Sequence, residues 1–273
     1  MKIAALGDIH GNFQALITVL DDVDAWKPDL VLVLGDIVNR GPRSKVCFDL
    51  IRERSTDPTW HVIKGNHEGY VLNFEDPDFS RQGVDFALRQ VIYWTYQSLN
   101  QKDRDHLNHL PGEITINLPG IGSIQVAHAS TAGDRIGIYP STPESRLARL
   151  IPEDADLFVV GHTHQPLVRR SGGTVVINTG SVGLPFDGDT RAAYAQISYQ
   201  DHNWQVDISR VTYDLEAAAD DFYQEGFIPE GGPLADLILT ELQLGWPQLG
   251  KWFKKYETAV RNETINLEDA VYE

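Results

Sequence analysis

Short fragments rich in Asp, His and Asn recur through the first two thirds of this 273-residue chain, and their side chains are of types that bind metal ions. Carboxylates, imidazoles and an Asn amide oxygen suit divalent cations such as Mn²⁺, Fe²⁺, Zn²⁺ or Mg²⁺. A single fragment is weak evidence for metal binding, because a lone Asp or His after a strand is commonly a turn or capping residue. The fragments are 8–12 (DIHGN), 35–42 (GDIVNRGP), 65–68 (GNHE), 127–128 (AH) and 161–164 (GHTH), with supporting loops at Gly7 and 178–181 (NTGS).

Each of the main fragments follows a short apolar run, which predicts a common position for them at the edge of a sheet. Apolar runs without alternation are typical of strands that are buried on both faces. The carboxyl ends of such strands gather at one edge, which is where open α/β sheets bind ligands. The runs are 2–6 before Asp8, 30–34 before Asp36, 61–63 before Asn66, 123–126 before His128 and 157–160 before His162.

With this set of fragments the chain resembles the calcineurin-like metallophosphoesterases, in particular their bacterial predicted phosphodiesterase and diadenosine tetraphosphatase-like branch. The pattern D-x-H, G-D-x-x-x-R-G-P, G-N-H-E, a lone His and G-H-x-H covers residues 1 to about 185, and the set is specific where single motifs are not. The resemblance implies an α/β (α+β) fold, a four-layer αββα sandwich of two sheets. We expect one domain over residues 1–273, with a helical cap inserted at 70–118 and a helical appendage at 215–260.

The resemblance also implies a site for two divalent metal ions, with Mn²⁺ expected first and Fe, Zn, Ni or Mg as alternatives. Two cations held about 3.5–4 Å apart can acidify a shared water and hold both the attacking and the leaving oxygen of an in-line displacement. The implied nucleophile is a metal-bridging hydroxide. The implied ligands are Asp8, His10 and His164 for one ion, Asn66, His128 and His162 for the other, and Asp36 as the bridge between them.

Two further residues match the family pattern and have implied roles in catalysis. His67, next to Asn66, corresponds to the general acid that protonates the leaving oxygen. Arg40 corresponds to the arginine that holds a phosphoryl oxygen, a role suited to a planar, always-charged fork. At Asn39 the chain departs from the protein-phosphatase branch, which has an Asp there. An Asn carries no charge that could stabilise a protonated His67.

Three functions are compatible with this pattern. The chain resembles the phosphodiesterase-type members in having both histidines of G-H-x-H, the second of which is His164. This resemblance favours hydrolysis of phosphodiester or dinucleoside-polyphosphate bonds. A phosphomonoesterase or protein phosphatase is the alternative, because Arg40 and the fragment 65–68 also resemble that branch. A non-catalytic scaffold is the third, but scaffolds of this fold have lost ligands, whereas all seven positions are filled here.

Composition narrows the partners and the location that we expect. The 23 basic and 39 acidic residues give a net charge of −16, which argues against binding of long nucleic acids. The charge is compatible with the small phosphate ester or nucleotide that we expect as the substrate, and it leaves protein substrates open. The single Cys47 excludes an intramolecular disulfide, and its helix-like surroundings predict a small buried side chain. No apolar run reaches membrane-spanning length or reads as a signal peptide, so we expect a cytoplasmic protein.

Outside the fragments, periodicity predicts the elements that surround the site. An apolar face on 13–23 predicts a helix against a sheet, and 86–99 and 103–110 predict two helices of the cap. Residues 191–199 and 204–212 predict a β-hairpin with its turn at 200–203. Apolar stripes from Leu234 to Leu242 and from Leu249 to Val260 predict two helices that cover the sheet or pair subunits. From about Asn262 the tail is acidic, and we expect it to fray.

Overall fold

Ten strands form two five-stranded sheets in the computed structural model of the chain, which describes residues 1–273. The first sheet has the order β10-β9-β1-β2-β3, and the second has the order β4-β5-β6-β8-β7. The strands are β1 (Lys2–Leu6), β2 (Leu30–Val33), β3 (Trp60–Val62), β4 (Glu113–Leu118), β5 (Gly122–Ala127), β6 (Leu157–Val160), β7 (Leu167–Ser171), β8 (Thr174–Asn178), β9 (Ala192–Gln200) and β10 (Asn203–Val211).

Twelve α-helices and one short 3₁₀ helix at Asn73–Glu75 accompany the strands. None of the helices combines the length and the apolar character that crossing a membrane requires. They are α1 (Phe13–Trp26), α2 (Ser44–Arg54), α3 (Asn66–Leu72), α4 (Gly83–Ala87), α5 (Gln90–Ser98), α6 (Gln101–His109), α7 (Glu144–Leu147), α8 (Leu215–Gln224), α9 (Phe227–Glu230), α10 (Leu234–Leu244), α11 (Leu249–Arg261) and α12 (Leu267–Tyr272).

The parallel strands of the two sheets bring their carboxyl ends to one side of the molecule. In the first sheet β1, β2 and β3 are parallel, and β9 and β10 pair antiparallel at the edge of β1. In the second sheet β5, β6 and β8 are parallel, and β4 and β7 are antiparallel edges. All five predicted strand runs lie on β1, β2, β3, β5 and β6. The segments that follow these five strands are the fragments with Asp, His and Asn.

Alternating side chains of the strands contribute to apolar clusters on opposite faces of each sheet. Ile3, Leu32 and Val159 belong to an apolar cluster between the two sheets. The opposite faces of β1 and β2 pack against α1, α2 and the C-terminal helices in a cluster of 37 buried residues. On the outer face of the second sheet, Leu147 of α7 and neighbouring loop residues cover Phe158. The predicted sandwich of helices on two sheets is therefore confirmed, with a thin outer layer on the second sheet.

The predicted hairpin is present, and its turn is tighter than expected. Residues 192–200 pair with 203–211, and Asn203 pairs directly with Gln200. Only Asp201 and His202 remain for the turn, with φ angles of 49° and 61°. Two consecutive residues with positive φ are what a two-residue hairpin turn needs in order to match the twist of its strands.

In the range predicted as the cap, the segment expected as one helix at 86–99 is instead two helices, α4 and α5. The break falls at Leu88 and Arg89, where Arg89 leaves helical geometry with ψ near 9°. The two helices have different partners, since α4 contacts α11 while α5 contacts α3 and α9. Apolar periodicity continues through the break, so it could not reveal the change of partner. The last residues of the range, Glu113–Leu118, form β4 of the second sheet.

The prediction that the tail frays from about Asn262 is wrong. Residues Leu267–Tyr272 form α12, whose N-terminus is capped by the Asn266 side chain. Ala270 is 1% exposed, and its carbonyl accepts a hydrogen bond of 2.8 Å from the indole N–H of Trp252. Leu267 and Val271 also pack against the main core, so apolar contacts dock this helix although its acidic composition gave no indication of docking.

Cys47 provides a test of the main core. Its side chain is fully buried on α2, and burial raises the pKa of its thiol. We expect the native protein to react with a disulfide reagent such as DTNB at least about 10³-fold more slowly than glutathione does, since reaction must wait for unfolding. Denatured protein, the control, should react at the rate of a free thiol. Complete labelling of native protein at the glutathione rate would contradict this packing.

Candidate metal centre

The seven predicted ligands meet at the carboxyl ends of the parallel strands. Asp8 follows β1, Asp36 follows β2, and Asn66 is the first residue of α3 just after β3. His128 follows β5, and both histidines of the G-H-x-H fragment follow β6. The side chains are buried except that of His162, which is half-buried. Residues that lie up to 156 positions apart in the chain thus share one site.

A first group of donor atoms belongs to Asp8, His10, Asp36 and His164. Each of these residues offers one ligand atom, and the four atoms lie within 4.8 Å of one another. The Nε2 atoms of His10 and His164 are 3.1 Å apart, and Nε2 of His164 is 3.5 Å from Oδ1 of Asp8. Two carboxylates and two imidazoles at this spacing form a donor set typical of a divalent metal.

A second group of donor atoms lies on the other side of Asp36. Oδ1 of Asn66 is 3.0 Å from Nε2 of His128 and 2.8 Å from Nδ1 of His162. Oδ2 of Asp36 is 3.3 Å from Nε2 of His128 and 3.7 Å from Nε2 of His10. One carboxylate oxygen therefore lies between the two groups.

Backbone carbonyls orient three of the imidazoles. Nδ1 of His128 donates to the carbonyl of Leu34 at 2.8 Å, and Nδ1 of His164 donates to that of Leu184 at 2.5 Å. Nδ1 of His10 lies 3.3 Å from the carbonyl of Asn39. A proton held at Nδ1 leaves the Nε2 lone pair free for a metal, the usual arrangement around metal-bound histidines. The ring of His164 is also stacked on Phe186, with centroids 4.4 Å apart.

Backbone strain is concentrated at this site. Eleven residues other than glycine have positive φ angles, and the four outside the site are Lys27, Asp201, His202 and Glu263. Such a conformation costs of the order of 1–3 kcal/mol and persists where its surroundings enforce it. The remaining seven are Asp8, His10, Asp36, Asn39, Arg40, His162 and His164. Five of the seven predicted ligands are therefore held in left-handed backbone.

The carboxylate of Glu68 holds two of the ligand loops together. It is fully buried and accepts hydrogen bonds from the backbone N–H groups of Gly65, Asp36 and Ile37 at 2.7, 2.9 and 2.8 Å. Gly65 is required here, because a Cβ at this position would overlap Oδ1 of Asp36. Glu68 thus fixes the position of Asp36 relative to Asn66 without pointing into the site.

Burial and mutual charge shift the pKa values of the donor groups strongly. Burial raises the pKa of Asp8 to about 8. Burial alone would also raise the pKa of Asp36, but the charge of His128 and its hydrogen bond to Asp36 hold that pKa well below its usual range. Burial lowers the pKa of His10 and His164, and it dominates over the nearby carboxylates. His128 shifts the other way, because burial is outweighed by the charge of Asp36 and the hydrogen bond to it, which raise the pKa of His128 to about 10. A metal ion binds the deprotonated forms of these groups, so its binding would release the protons of Asp8 and His128.

Oδ1 of Asp8 is a buried polar atom without a hydrogen-bond partner. Leaving such an atom unpaired in the interior costs about 1–3 kcal/mol or more for a charged group. Its nearest donor-type neighbour is Nε2 of His164, whose proton is placed on the opposite nitrogen by Leu184. Both atoms present lone pairs to the same space, so these residues fit a divalent cation.

His67 lies beside the donor groups with a defined tautomer. The side-chain amide of Asn39 donates to Nδ1 of His67 at 2.7 Å, while Oδ1 of Asn39 accepts the backbone N–H of Arg40 at 2.8 Å. The second contact fixes the amide orientation, and the proton of neutral His67 therefore resides on Nε2. Burial lowers the pKa of His67 to about 3, with Arg40 among the charges that add to this shift.

Arg40 is held by a glutamate that sequence reasoning missed. Nη1 of Arg40 donates to Oε2 of Glu241 at 2.8 Å, and the guanidinium lies 5.9 Å from the ring centre of Phe186. Glu241 is fully buried on α10, and its other oxygen accepts the backbone N–H groups of Gln248 and Leu249 at 2.8 Å each. A glutamate among the apolar residues of a helix face is a signal of a buried partner, but it does not identify that partner.

The fold and the donor groups define a phosphoesterase with a metal site. A model of the calcineurin-like phosphoesterase superfamily domain matches residues 1–202, and the chain belongs to that family. An uncharacterized protein of Methanocaldococcus jannaschii is 30% identical over 234 residues, which span 79% of this chain and 89% of that protein. A metallophosphoesterase from Sphaerobacter thermophilus has a similar structure, with a TM-score of 0.69 and 28% identity over 90% of this chain and 100% of that one.

Relatives with assigned activities share shorter segments. Serine/threonine-protein phosphatase 2 of Escherichia coli is 28% identical over 202 residues, 66% of this chain and 87% of that enzyme. The symmetrical bis(5'-nucleosyl)-tetraphosphatase of Dechloromonas aromatica is 33% identical over 94 residues, which span 34% of this chain and 33% of that enzyme. The family and these relatives support hydrolysis of phosphoric esters and binding of a divalent metal.

Metal binding should stabilise the fold measurably, because the donor groups come together only in the native state. At a hundredfold excess over Kd one ion contributes about 2.7 kcal/mol. For a chain of this size we expect Mn²⁺ to raise the melting temperature of chelator-treated protein by roughly 5–10 °C. Asp36→Asn should abolish most of this increase.

Asp103→Asn is the matched control, since Asp103 is another buried carboxylate but pairs with Arg52 away from the site. It should lower the starting melting temperature and keep the increase with Mn²⁺. An equal increase in Asp36→Asn and in the wild type would contradict metal binding at these donor groups.

Proposed function

We propose that the chain is a dinuclear-metal-dependent phosphodiesterase that acts on phosphodiester or dinucleoside-polyphosphate bonds. The observation that carries the proposal is the position of Asp36 Oδ2, 3.7 Å from a donor atom of one group and 3.3 Å from a donor atom of the other. A single oxygen between two donor sets is the arrangement expected of a residue that bridges two ions. All seven side chains expected for this role contribute to the two groups.

In this proposal one set of residues binds two metal ions, and a second set contacts the substrate. When bound, two divalent ions, Mn²⁺ in our expectation, would lower the pKa of a shared water and neutralise the phosphoryl oxygens. Asp8, His10 and His164 would hold one ion, and Asn66, His128 and His162 would hold the other. Backbone carbonyls and Glu68 fix these side chains before any substrate arrives, so little reorganisation is needed during the reaction.

His67 is proposed to serve the leaving group. With Asn39 donating to Nδ1, the proton of the imidazole is held at Nε2. That N–H can donate a hydrogen bond to the oxygen of the departing alcohol, and transfer of a proton to this oxygen would start from the imidazolium form of His67 and return it to the neutral form. The aromatic edges of His10 and Tyr70, with ring centroids 4.8 and 5.1 Å away, fix the plane of the imidazole.

Arg40 is proposed to hold a phosphoryl oxygen. Its guanidinium is positioned by Glu241 through Nη1, and its side chain is 17% exposed, which leaves part of the fork open toward the cavity. A planar fork fixed in this way can donate to an anionic oxygen without first losing side-chain freedom. Glu241 is a positioning residue in this proposal.

A phosphomonoesterase is the second candidate function, and one observation favours it. Serine/threonine-protein phosphatase 2 of Escherichia coli, a relative with an assigned activity, is 28% identical over 66% of the chain. Against it, His164 lies within the first donor group, as in the phosphodiesterase-type members that the chain resembles. A small ester or nucleotide in the cytoplasm remains the substrate that we propose.

Changes at His67 should distinguish a proton donor from a structural residue. We expect His67→Ala to lower kcat by about 10²- to 10⁴-fold on diphenyl phosphate, because phenolate is a basic leaving group whose departure is assisted by a proton donor. The loss should be smaller on bis(p-nitrophenyl) phosphate, because p-nitrophenolate leaves readily without one. Hydrolysis of bis(p-nitrophenyl) phosphate should also exceed that of p-nitrophenyl phosphate in the wild type.

The metal content of the variant, two ions per chain in our proposal, should equal that of the wild type. Equal losses on both diesters would show that His67 acts only on the structure of the site. Faster hydrolysis of the monoester would favour the phosphatase alternative.

A double-mutant cycle tests whether Glu241 acts through Arg40. Because hydrogen bonds to charged groups contribute about 1.5–3 kcal/mol, we expect Glu241→Gln to lower kcat/KM by roughly tenfold or more. In an Arg40→Ala background the same change should have little further effect on kcat/KM. Asp221→Asn, which removes a buried carboxylate paired with Arg43, should behave additively with Arg40→Ala. If the effects of Glu241→Gln and Arg40→Ala on kcat/KM are also fully additive, Glu241 affects only the stability of the fold and does not act through Arg40.

A further inference from the structure

A cavity of about 420 Å³ opens directly from the donor groups. Asn66, His67 and His162 form its floor together with Arg40. Cavities of roughly 300–1,000 Å³ usually bind molecules of drug or cofactor size, so this cavity has room for more than a phosphoryl group. The rest of its volume must accommodate another part of the substrate.

The walls of the cavity are apolar and come from two separate parts of the chain. One wall is formed by residues around α5, and the other by α10 and α11, which lie outside residues 1–202 matched by the family model. Ile92 of α5 and Phe253 of α11 both line the cavity, and each is half-buried. The apolar wall residues are Leu88, Val91, Ile92, Leu234, Ile238, Leu249 and Phe253.

Two of the charged side chains that line the walls, Glu257 and Arg261, are paired with each other. Nε of Arg261 donates to Glu257 at 3.0 Å, and the same guanidinium pairs with Asp85 of α4. The guanidinium of Arg89 lies 4.9 Å from the ring centre of Phe79, a contact that directs its charge toward that ring but does not use its N–H groups. A nucleoside needs hydrogen-bond partners for the edge of its base and for its sugar, since burying those groups unpaired costs free energy. An alkyl or aryl group needs only the apolar surface.

We propose that the walls formed by α5, α10 and α11 bind the organic group of the substrate, and that the preferred substrates are phosphodiesters with an apolar alkyl or aryl group. The inference rests on the proposed phosphodiesterase function and narrows its substrate class. The apolar group lies between Ile92 and Phe253 while the phosphodiester reaches the donor groups at the floor. Arg40, at the floor of the cavity, is then a side-chain cation that can pair with the single negative charge of the ester.

A homologous series of diesters tests this inference. With Mn²⁺-loaded protein, we expect kcat/KM for alkyl p-nitrophenyl phosphates to rise roughly three- to fourfold for each methylene added between methyl and hexyl, until the cavity is filled. The hexyl ester should be hydrolysed faster than thymidine 5'-p-nitrophenyl phosphate. In calorimetry, hexylphosphonic acid, which has no ester bond, should bind more tightly than methylphosphonic acid.

Two variants and one matched control locate the effect in the walls. Phe253→Gln and Ile92→Gln should each lower the ratio of kcat/KM for the hexyl ester to kcat/KM for the methyl ester by at least about tenfold. Leu244→Gln, at an exposed position at the end of α10, should retain the dependence and the rates of the wild type. The preference for hexylphosphonic over methylphosphonic acid in binding should likewise be lost in the two wall variants and kept in Leu244→Gln.

The outcomes separate this inference from the function on which it rests. If the methyl ester is hydrolysed but the series is flat, or if the thymidine ester is preferred, the apolar wall is not the binding surface and the phosphodiesterase function stands. If no diester is hydrolysed by protein that has bound its metal ions, both proposals are overturned.

Discussion

The burial of three carboxylates and several imidazoles in one small space is the constraint on which the rest of this structure depends. Asp8, Asp36 and Glu68 are at most 1% exposed, and a buried charge without a partner is costly. The structure meets this cost in two ways. Glu68 is saturated with backbone N–H groups, whereas Asp8 and Asp36 face imidazoles whose protons are largely directed elsewhere. The second arrangement is stable when a cation supplies the positive charge.

The same constraint accounts for the irregular backbone after the strands. Five predicted ligands adopt positive φ, because a strand end must turn sharply to bring its side chain back over the edge of the sheet. The loops compensate by bonding to one another. The backbone N–H of Asp8 donates to Gly35, that of His10 donates to Asp36, and Gly183 donates to Asp8. A Cβ at Gly183 would overlap the carbonyl of Ile9, so the loops approach as closely as backbone allows.

The site was more predictable from sequence than its surroundings. Each ligand follows a strand by a few residues, and local order is enough to place Asp8 or Asp36 at a strand end. Glu241 lies 201 positions from Arg40, and no local pattern connects them. The break between α4 and α5, the docking of α12 and the edge strands β4 and β7 likewise depend on packing between distant segments. Periodicity reports whether a face is buried, but it does not report what covers that face.

The division of the site between two regions of the chain has an evolutionary consequence. The donor groups belong to residues 8–164, whereas one whole wall of the cavity and the anchor of Arg40 come from α10 and α11. Mutations in these two helices could therefore change substrate choice without touching the residues expected to bind metal. Selection could act on chemistry and on specificity almost independently. A deletion after residue 202 would leave every predicted ligand in the sequence and would remove one wall of the cavity together with the anchor of Arg40.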